Sequence, residues 1–113
     1  MAKITNKTRK TVIAADYRLC TSTLSKARGL MFSKEKNLIF TFKNERIVAL
    51  HMMFVFFPID LLFLDKNRKV VEIKKNFRPW TFYTPKKKGM YVIELKSGSV
   101  AGSKTKVGDL ISF

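Results

Sequence analysis

The stretch IVALHMMFVFFPIDLLFLD, residues 47–65, decides the fold of this chain. It is almost continuously apolar, and it carries Asp60 two residues after Pro58. Removing a free carboxylate from water costs several kcal/mol unless the carboxylate is paired or hydrogen-bonded. If this stretch forms the core, Asp60 therefore has a specific role there, and that role is either architectural or chemical.

The length and composition of the chain indicate one globular domain. It has 113 residues, of which 46% are hydrophobic and ten are Phe, so a core can form without disulfides. Because Cys20 is the single cysteine, we expect a cytoplasmic location. The start, MAKITNKTRK, is too polar for a signal peptide. His51, Pro58 and Asp60 interrupt the apolar stretch, so we expect no membrane association.

Alternating or apolar segments separated by turn residues predict about seven strands. The candidate segments are eight, at residues 3–6, 10–18, 37–43, 46–57, 59–65, 69–76, 90–96 and 106–113. Asn44-Glu45 suits a tight hairpin turn, and Lys66-Asn67-Arg68 suits another. The sequence thus predicts a mostly β, β-rich α+β fold, a compact single-domain β-barrel or sandwich spanning residues 1–113.

Three further features complete this outline. Residues 21–29, TSTLSKARG, predict one short helix, with a Ser or Thr cap at its start and Gly29 at its end. Pro58 cannot donate a ladder hydrogen bond, so strand pairing should break or bulge there. Residues 97–105, SGSVAGSKT, read as a loop or a single helical turn.

With these segments in place, the chain resembles the domain of unknown function 192 family, small β-rich proteins of bacteria and archaea. The motifs that carry the resemblance are ARGLMF (27–32), HMMFVFFPIDLLFLD (51–65), Pro79-Trp80, YVIEL (91–95) and VGD (107–109). Many bacterial members carry a Trp-Met-Lys-Asn-Thr-like stretch ahead of the proline. Here residues 53–56 are Met, Phe, Val and Phe, which resembles an archaeal-type variant. The resemblance implies a fold but no activity.

The net charge of +15 makes this chain strongly basic. Such a surface attracts polyanions whatever the fold. Lys residues outnumber Arg residues by 17 to 6, which suits a solvated coat better than bidentate phosphate recognition. Two interpretations therefore stay open, a solvated basic surface and a partner that is nucleic acid or another polyanion.

The segment 66–88 is the strongest binding candidate, with nine basic residues against Glu72 and a net charge of +8. The basic residues are Lys66, Arg68, Lys69, Lys74, Lys75, Arg78, Lys86, Lys87 and Lys88. Phe77, Trp80, Phe82 and Tyr83 are interleaved with them. Basic and aromatic side chains together suit RNA or single-stranded DNA, through phosphate contacts and base stacking. Alternatively, Phe77, Trp80 and Phe82 plug the end of the fold while the lysines stay solvated.

Three acidic residues are candidates for a ligand pocket. Asp60 either takes part in proton transfer or cationic-ligand binding, or accepts backbone N–H bonds and pins a bulge. Asp109, in a Gly-Asp pair before the last predicted strand, suits a turn whose amides it holds. Glu94 lies within an apolar alternation and faces inward if that alternation holds. If Asp60, Glu94 and Asp109 converge, they form an acidic pocket for a divalent cation or a sugar-like ligand.

His51 and Cys20 are the remaining reactive side chains. His51 lies in an apolar segment, where a core histidine and a catalytic base are the alternatives. One His and one Cys do not make a zinc site, and they act as nucleophile and base only if the fold joins them. Neither a P-loop nor a dinucleotide glycine motif is present, so we expect no cofactor and no metal.

The sequence therefore favours a non-enzymatic binding or accessory domain that contacts RNA or single-stranded nucleic acid through residues 66–88. One alternative is a small-ligand or hydrolytic site around Asp60, Glu94 and His51. Another is a protein-interaction module in which exposed Phe and Met side chains form a dimer patch.

Overall fold

The computed structural model describes residues 3–21 and 34–113. Within them it has ten strands and one short helix. The strands are β1 (Ile4–Asn6), β2 (Thr11–Ala14), β3 (Arg18–Cys20), β4 (Leu38–Arg46), β5 (Leu50–His51), β6 (Ile59–Leu64), β7 (Val70–Phe77), β8 (Phe82–Tyr83), β9 (Gly89–Lys96) and β10 (Ile111–Ser112). The helix α1 (Ser99–Ser103) lies in the segment predicted as a loop or helical turn. The helix predicted at 21–29 falls almost entirely on residues 22–33, outside the described residues.

A five-stranded sheet with the order β3-β4-β9-β6-β7 forms the centre of the fold. It is antiparallel except for β3, which pairs in parallel with β4. A three-stranded sheet, β10-β1-β2, and a two-stranded sheet, β5-β8, complete the set. The described strands do not close into a barrel, and the arrangement is a sandwich-like β-rich α+β fold. The predicted fold class is thereby confirmed in its sandwich form.

The strand β6, which lies between β9 and β7 in this sheet, is buried along its whole length. Its side chains alternate between two faces, so that Leu61 and Phe63 enter one core cluster and Leu62 and Leu64 enter the other. A strand covered on both faces needs apolar residues at every position, which is why the sequence here is an unbroken run rather than an alternation. The same two-sided arrangement decides where the acidic side chains of β6 and β9 point.

The apolar stretch ahead of Pro58 departs from the prediction. The strand predicted at 46–57 is wrong, because Arg46 ends β4 and, beyond it, only Leu50–His51 pairs, with β8. The hairpin turn predicted at Asn44-Glu45 is also wrong, since β4 continues through Arg46. The chain turns after β5, with Phe54 at a φ of 60°, a backbone conformation that cannot continue a strand. The break predicted at Pro58 is confirmed, because β6 begins at Ile59.

Candidate nucleic-acid interface

A β-bulge in β7 lies directly opposite Asp60. Ile59 pairs with Phe77 and Leu61 pairs with Lys74, so two residues of β7 face a single residue of β6. One of the two, Asn76, has a φ of 51°, in the left-handed region that non-glycine residues rarely adopt. The bulge breaks the regular pairing at the end of β7 and exposes Asn76.

The carboxylate of Asp60 is buried and holds three backbone N–H groups. Its Oδ1 accepts the N–H of Asn76 at 3.0 Å. Its Oδ2 accepts the N–H groups of Gly98 at 3.0 Å and Val100 at 3.1 Å, at the start of α1. These bonds replace the water that the carboxylate loses on burial. This is the geometry of the architectural alternative, in which Asp60 pins a bulge.

Glu94 lies on the opposite face of the same sheet. It pairs with Leu61 of β6 and Leu38 of β4. Both leucines belong to the core cluster on the face of the sheet away from the Asp60 side chain. Glu94 is only 5% exposed, and its Oε1 has no hydrogen-bond partner. Burial raises the pKa of Glu94 from 4.5 to about 8. The carboxyl group is therefore largely protonated at neutral pH.

Asp109 lies apart from both Asp60 and Glu94. Its carboxylate accepts hydrogen bonds that stabilise the turn before β10. Its Oδ2 accepts hydrogen bonds from Nδ2 of Asn6 at 2.9 Å, Nε of Arg9 at 3.0 Å and the N–H of Lys106 at 2.9 Å. Burial acts to raise the pKa of Asp109, but the bonds from Asn6, Arg9 and Lys106 outweigh it, and the pKa lies below 3.8. Gly108 beside it has a φ of 97°, as a sharp turn requires.

The structure thus does not bring Asp60, Glu94 and Asp109 together into one acidic pocket. No group of three or more His, Cys, Asp or Glu side chains able to hold a metal occurs within residues 3–21 and 34–113. His51 is exposed, not a core residue as one alternative predicted, because β5 belongs to the small surface sheet. Its Nδ1 accepts the N–H of Met53 at 3.2 Å. Cys20 is buried in the core.

Three aromatic side chains, Phe54, Phe56 and Trp80, lie together on the surface. Trp80 makes edge contacts with Phe54, at 5.1 Å between ring centroids, and with Phe56, at 5.9 Å. Trp80 is 46% exposed and Phe56 is 63% exposed. Phe82, which is 73% exposed, lies two residues after Trp80. The predicted plug is therefore wrong for Trp80 and Phe82, although Phe77 is buried as that alternative expected.

Two backbone hydrogen bonds join the turn after β5, which carries Phe54 and Phe56, to residues 80–81. The Met52 carbonyl accepts the N–H of Trp80 at 2.8 Å, and the Met52 N–H donates to the Thr81 carbonyl at 2.8 Å. Trp80 follows Pro79 and has a φ of 65°, and Phe54 on the other turn has a φ of 60°. Each left-handed non-glycine residue costs about 1–2 kcal/mol. Such strain persists only where the surroundings impose it, and it concentrates at functional sites.

A surface pocket lies at the end of β7, and its lining includes Thr81 and Phe82, which follow Trp80 in the chain. Its volume is about 200 Å³. Its lining residues are Lys74, Asn76, Phe77, Arg78, Thr81 and Phe82. Two of these side chains are cationic and none is acidic. The bulge held by Asp60 supplies the Asn76 side of this pocket, so the buried carboxylate and the surface site are physically linked.

The other basic residues of segment 66–88 are spread along β7. Lys66 and Arg68 lie at the turn before β7, as predicted, where the Asp65 Oδ1 accepts the N–H groups of Asn67 and Lys69. Lys69, predicted to begin the strand, forms an isolated bridge with Leu110 ahead of β7. Lys86 and Lys87 lie beside the middle of the strand, because their N–H groups donate to Glu72. Since β7 is an edge strand of the five-stranded sheet, these residues lie at or near that edge.

Internal contacts engage the predicted contact residues Arg68, Lys74 and Tyr83, and Nζ of Lys74 lies 5.5 Å from the centroid of the Tyr83 ring. Arg68 lies 3.8 Å above the Phe113 ring and donates to the Phe113 carbonyl. Tyr83 packs between Phe63 and Phe77 and donates to Glu72, and this bond, together with burial, raises the pKa of Tyr83 to about 12. We therefore do not expect the Tyr83 ring to stack on a base.

Sequence reasoning missed Phe54 and Phe56 as members of this surface. Both lie in the long apolar run, which reads as core throughout. Nothing local distinguishes them from their buried neighbours Met52 and Val55. Only the turn after β5 brings them next to Trp80.

These features define a class of protein, a small β-rich domain with one basic and aromatic edge. Comparison with known sequences then identifies its family. The model of the DUF192 family, described as "Uncharacterized ACR, COG1430", matches residues 3–113. The chain belongs to this family, which confirms the resemblance.

Archaeal relatives and a bacterial structure agree with this assignment. The chain is 34% identical to a UPF0127 protein of Thermococcus sibiricus, over 96% of this chain and 72% of that protein. It is 32% identical to the UPF0127 protein PH1112 of Pyrococcus horikoshii, over 97% of both chains. A crystal structure of a protein of unknown function from Novosphingobium aromaticivorans matches with a TM-score of 0.84 and 24% identity, over 98% of this chain and 82% of that one. The last similarity concerns the fold alone. In the part of the chain described here, no helix is long and apolar enough to cross a membrane.

Proposed function

We propose that this chain is a non-enzymatic binding domain for RNA or single-stranded DNA. The binding surface consists of Phe54, Phe56, Lys74, Lys75, Arg78, Trp80 and Phe82, named here the aromatic–basic surface. Two observations support the proposal, the exposed contact of Trp80 with Phe54 and Phe56 and a cationic pocket formed by residues 74–82 of the same segment.

The chemistry of this surface suits a single strand better than a duplex. Unpaired bases stack on exposed aromatic rings, and this stacking tolerates every base. Lys74, Lys75 and Arg78 on the same end of β7 supply positive charge for the phosphates between those bases. Because most of these cations are lysines, we expect little sequence specificity.

Positive charge at the edge also favours nucleic acid over a second protein chain. An exposed apolar patch by itself suits self-association. Here the net charge of the whole chain is +15, so two copies repel each other. A polyanion removes that repulsion when it binds.

The alternative of a small-ligand or hydrolytic site around Asp60, Glu94 and His51 has less support. Asp60 has its oxygens occupied by backbone N–H groups, Glu94 faces the other side of the sheet, and His51 is exposed at a separate sheet. A shared substrate has no common place to contact all three.

The experiment is a fluorescence anisotropy titration of the whole chain with a labelled 20-nucleotide oligo(dT) and oligo(rU), at several salt concentrations. Binding at low salt should weaken as salt increases, with a log–log slope of roughly −0.7 for each phosphate neutralised on a single strand. A preference for duplex DNA of the same length, or no binding at low salt, would remove the proposal. Light scattering in the same buffers checks for self-association, and a dimer that forms through this surface would also count against it.

A further inference from the structure

We infer that the pocket at the end of β7 is a subsite for a terminal phosphate monoester of the bound strand, an inference that rests on the proposed function. The pocket is lined by two cations and by the polar residues Asn76 and Thr81. Within residues 3–21 and 34–113, neither Lys74 nor Arg78 forms an ion pair with a carboxylate, whereas Arg9 does. The Nζ of Lys74 lies 5.5 Å from the centroid of the Tyr83 ring, so within the described residues both cations lack a carboxylate partner and only Lys74 has a cation–π contact.

The size of the pocket limits what it can hold. Pockets for drug-sized ligands are roughly 300–1,000 Å³, and this one is about 200 Å³. A phosphate group fits this space, whereas a whole nucleotide exceeds it. The sugar and base of the terminal nucleotide would then lie outside the pocket, on the side where Phe82 and Trp80 are exposed.

The charge of the pocket distinguishes a terminal phosphate from an internal one. An internal phosphodiester carries one negative charge, whereas a phosphate monoester carries roughly −1.5 to −2 at neutral pH. Two cations without a carboxylate partner match the charge of the monoester. Arg78 adds planar N–H donors, which bind two phosphate oxygens at once.

Asp60 acts as a positioning residue for this subsite. It does not line the pocket, but its Oδ1 holds the N–H of Asn76, in the bulge that separates Lys74 from Arg78. Without that bond, the left-handed conformation of Asn76 loses its main support. The spacing of the two cations depends on this bulge.

The test compares three oligo(dT) strands of equal length with an internal fluorophore. One has a 5′-phosphate, one a 3′-phosphate and one hydroxyls at both ends. One of the two phosphorylated strands should bind about tenfold more tightly than the hydroxyl strand, as one added charge-assisted contact implies. Arg78→Ala should abolish this preference, which is measured as the ratio of the Kd values of the hydroxyl and phosphorylated strands on the same variant, so that a general loss of affinity cancels.

Arg18→Ala is the matched control, because Arg18 is an exposed arginine on β3, the opposite edge of the sheet. It should retain the phosphate preference. Equal affinity for all three strands, or a preference that survives Arg78→Ala, would overturn the subsite but leave the proposed function standing. If none of the strands binds at low salt, the proposed function itself has failed. Circular dichroism of each variant verifies that the fold is intact.

Discussion

Asp60 and Glu94 lie on neighbouring strands, one position apart in register, and face opposite sides of the same sheet. Asp60 pairs with Leu95, whereas Glu94 pairs with Leu61. Both carboxyl groups are buried, but one accepts three backbone N–H bonds and the other leaves an oxygen without a partner. Two similar side chains therefore have opposite effects on stability. Asp60 stabilises the fold as a charged acceptor, and Glu94 destabilises it when it ionises.

Substitution of Asp60 by Asn should destabilise the protein. The variant loses the charge and presents an NH₂ group to N–H donors, so part of the three-bond set is left without an acceptor. Hydrogen bonds to charged groups contribute about 1.5–3 kcal/mol each. We expect the free energy of unfolding to fall by about 3 kcal/mol in a urea titration at pH 7.

Asp16→Asn is the control for this measurement, because Asp16 is exposed. Its effect should lie within roughly 0.5 kcal/mol of zero, as for most surface substitutions. If Asp60→Asn is equally harmless to stability but changes the binding of a small ligand, Asp60 is part of a site rather than an anchor.

Glu94→Gln should change how stability depends on pH. The pKa of Glu94 is about 8 in the folded chain, against 4.5 ordinarily. Between these values the unfolded chain releases the proton and the folded chain keeps it, so the free energy of unfolding falls as pH rises. Each pKa unit corresponds to about 1.4 kcal/mol, so the loss between pH 4.5 and pH 8 amounts to several kcal/mol.

Urea titrations at pH 4, 6 and 8 measure this effect. The difference in stability between Glu94→Gln and the parent chain should grow steadily in favour of the variant across this range. Any cost of burying the amide is the same at each pH and does not affect the trend. The stability of Glu35→Gln, at an exposed position, should depend on pH in the same way as that of the parent chain. If the stability of Glu94→Gln also depends on pH as that of the parent chain does, the pKa of Glu94 is not raised.

Asp109→Asn should lower the stability at neutral pH and have a smaller effect at acidic pH. The pKa of Asp109 is lowered in the folded chain, so its contribution to stability is present above pH 3.8 and is lost as the pH falls through the lower, folded value. At pH 7 the variant should be less stable by about 2 kcal/mol, because it loses the charged acceptor for Asn6 and Arg9. Thermal unfolding at pH 7 and pH 2.5 checks this, and the difference should shrink at the lower pH. A difference that is unchanged by pH would mean that the carboxylate charge contributes nothing.

Trp80→Ala should weaken strand binding without unfolding the protein. Stacking of a base on an aromatic side chain contributes about 1–3 kcal/mol, so the Kd for oligo(dT) should rise by roughly 5- to 100-fold. Leu19→Ala removes an exposed apolar side chain from the opposite sheet edge and should leave the Kd unchanged. If both variants bind as the parent does, the Trp80 ring does not contact the strand.

Local pattern predicted the strands that have regular environments. Residues 59–65, 69–76 and 90–96 became β6, β7 and β9 within one residue or two at each end. Their burial is uniform or alternating, and such periods are visible in sequence. The segment 46–57 failed because its conformation depends on bonds between Met52 and residues 80–81, far along the chain.

The sequence by itself determined the fold class, the basic character of segment 66–88 and the need for Asp60 to find partners, because composition, period and desolvation are local properties. Only the tertiary structure decided which face each acid occupies and which rings reach solvent. The one-residue offset of Asp60 and Glu94 in paired strands puts them on opposite sides of the sheet. The turns at Phe54 and Trp80 place the two rings in contact on the surface. From the sequence alone, Phe54 reads as core and nothing links it to Trp80. Such juxtapositions arise from long-range pairing, which no local pattern encodes.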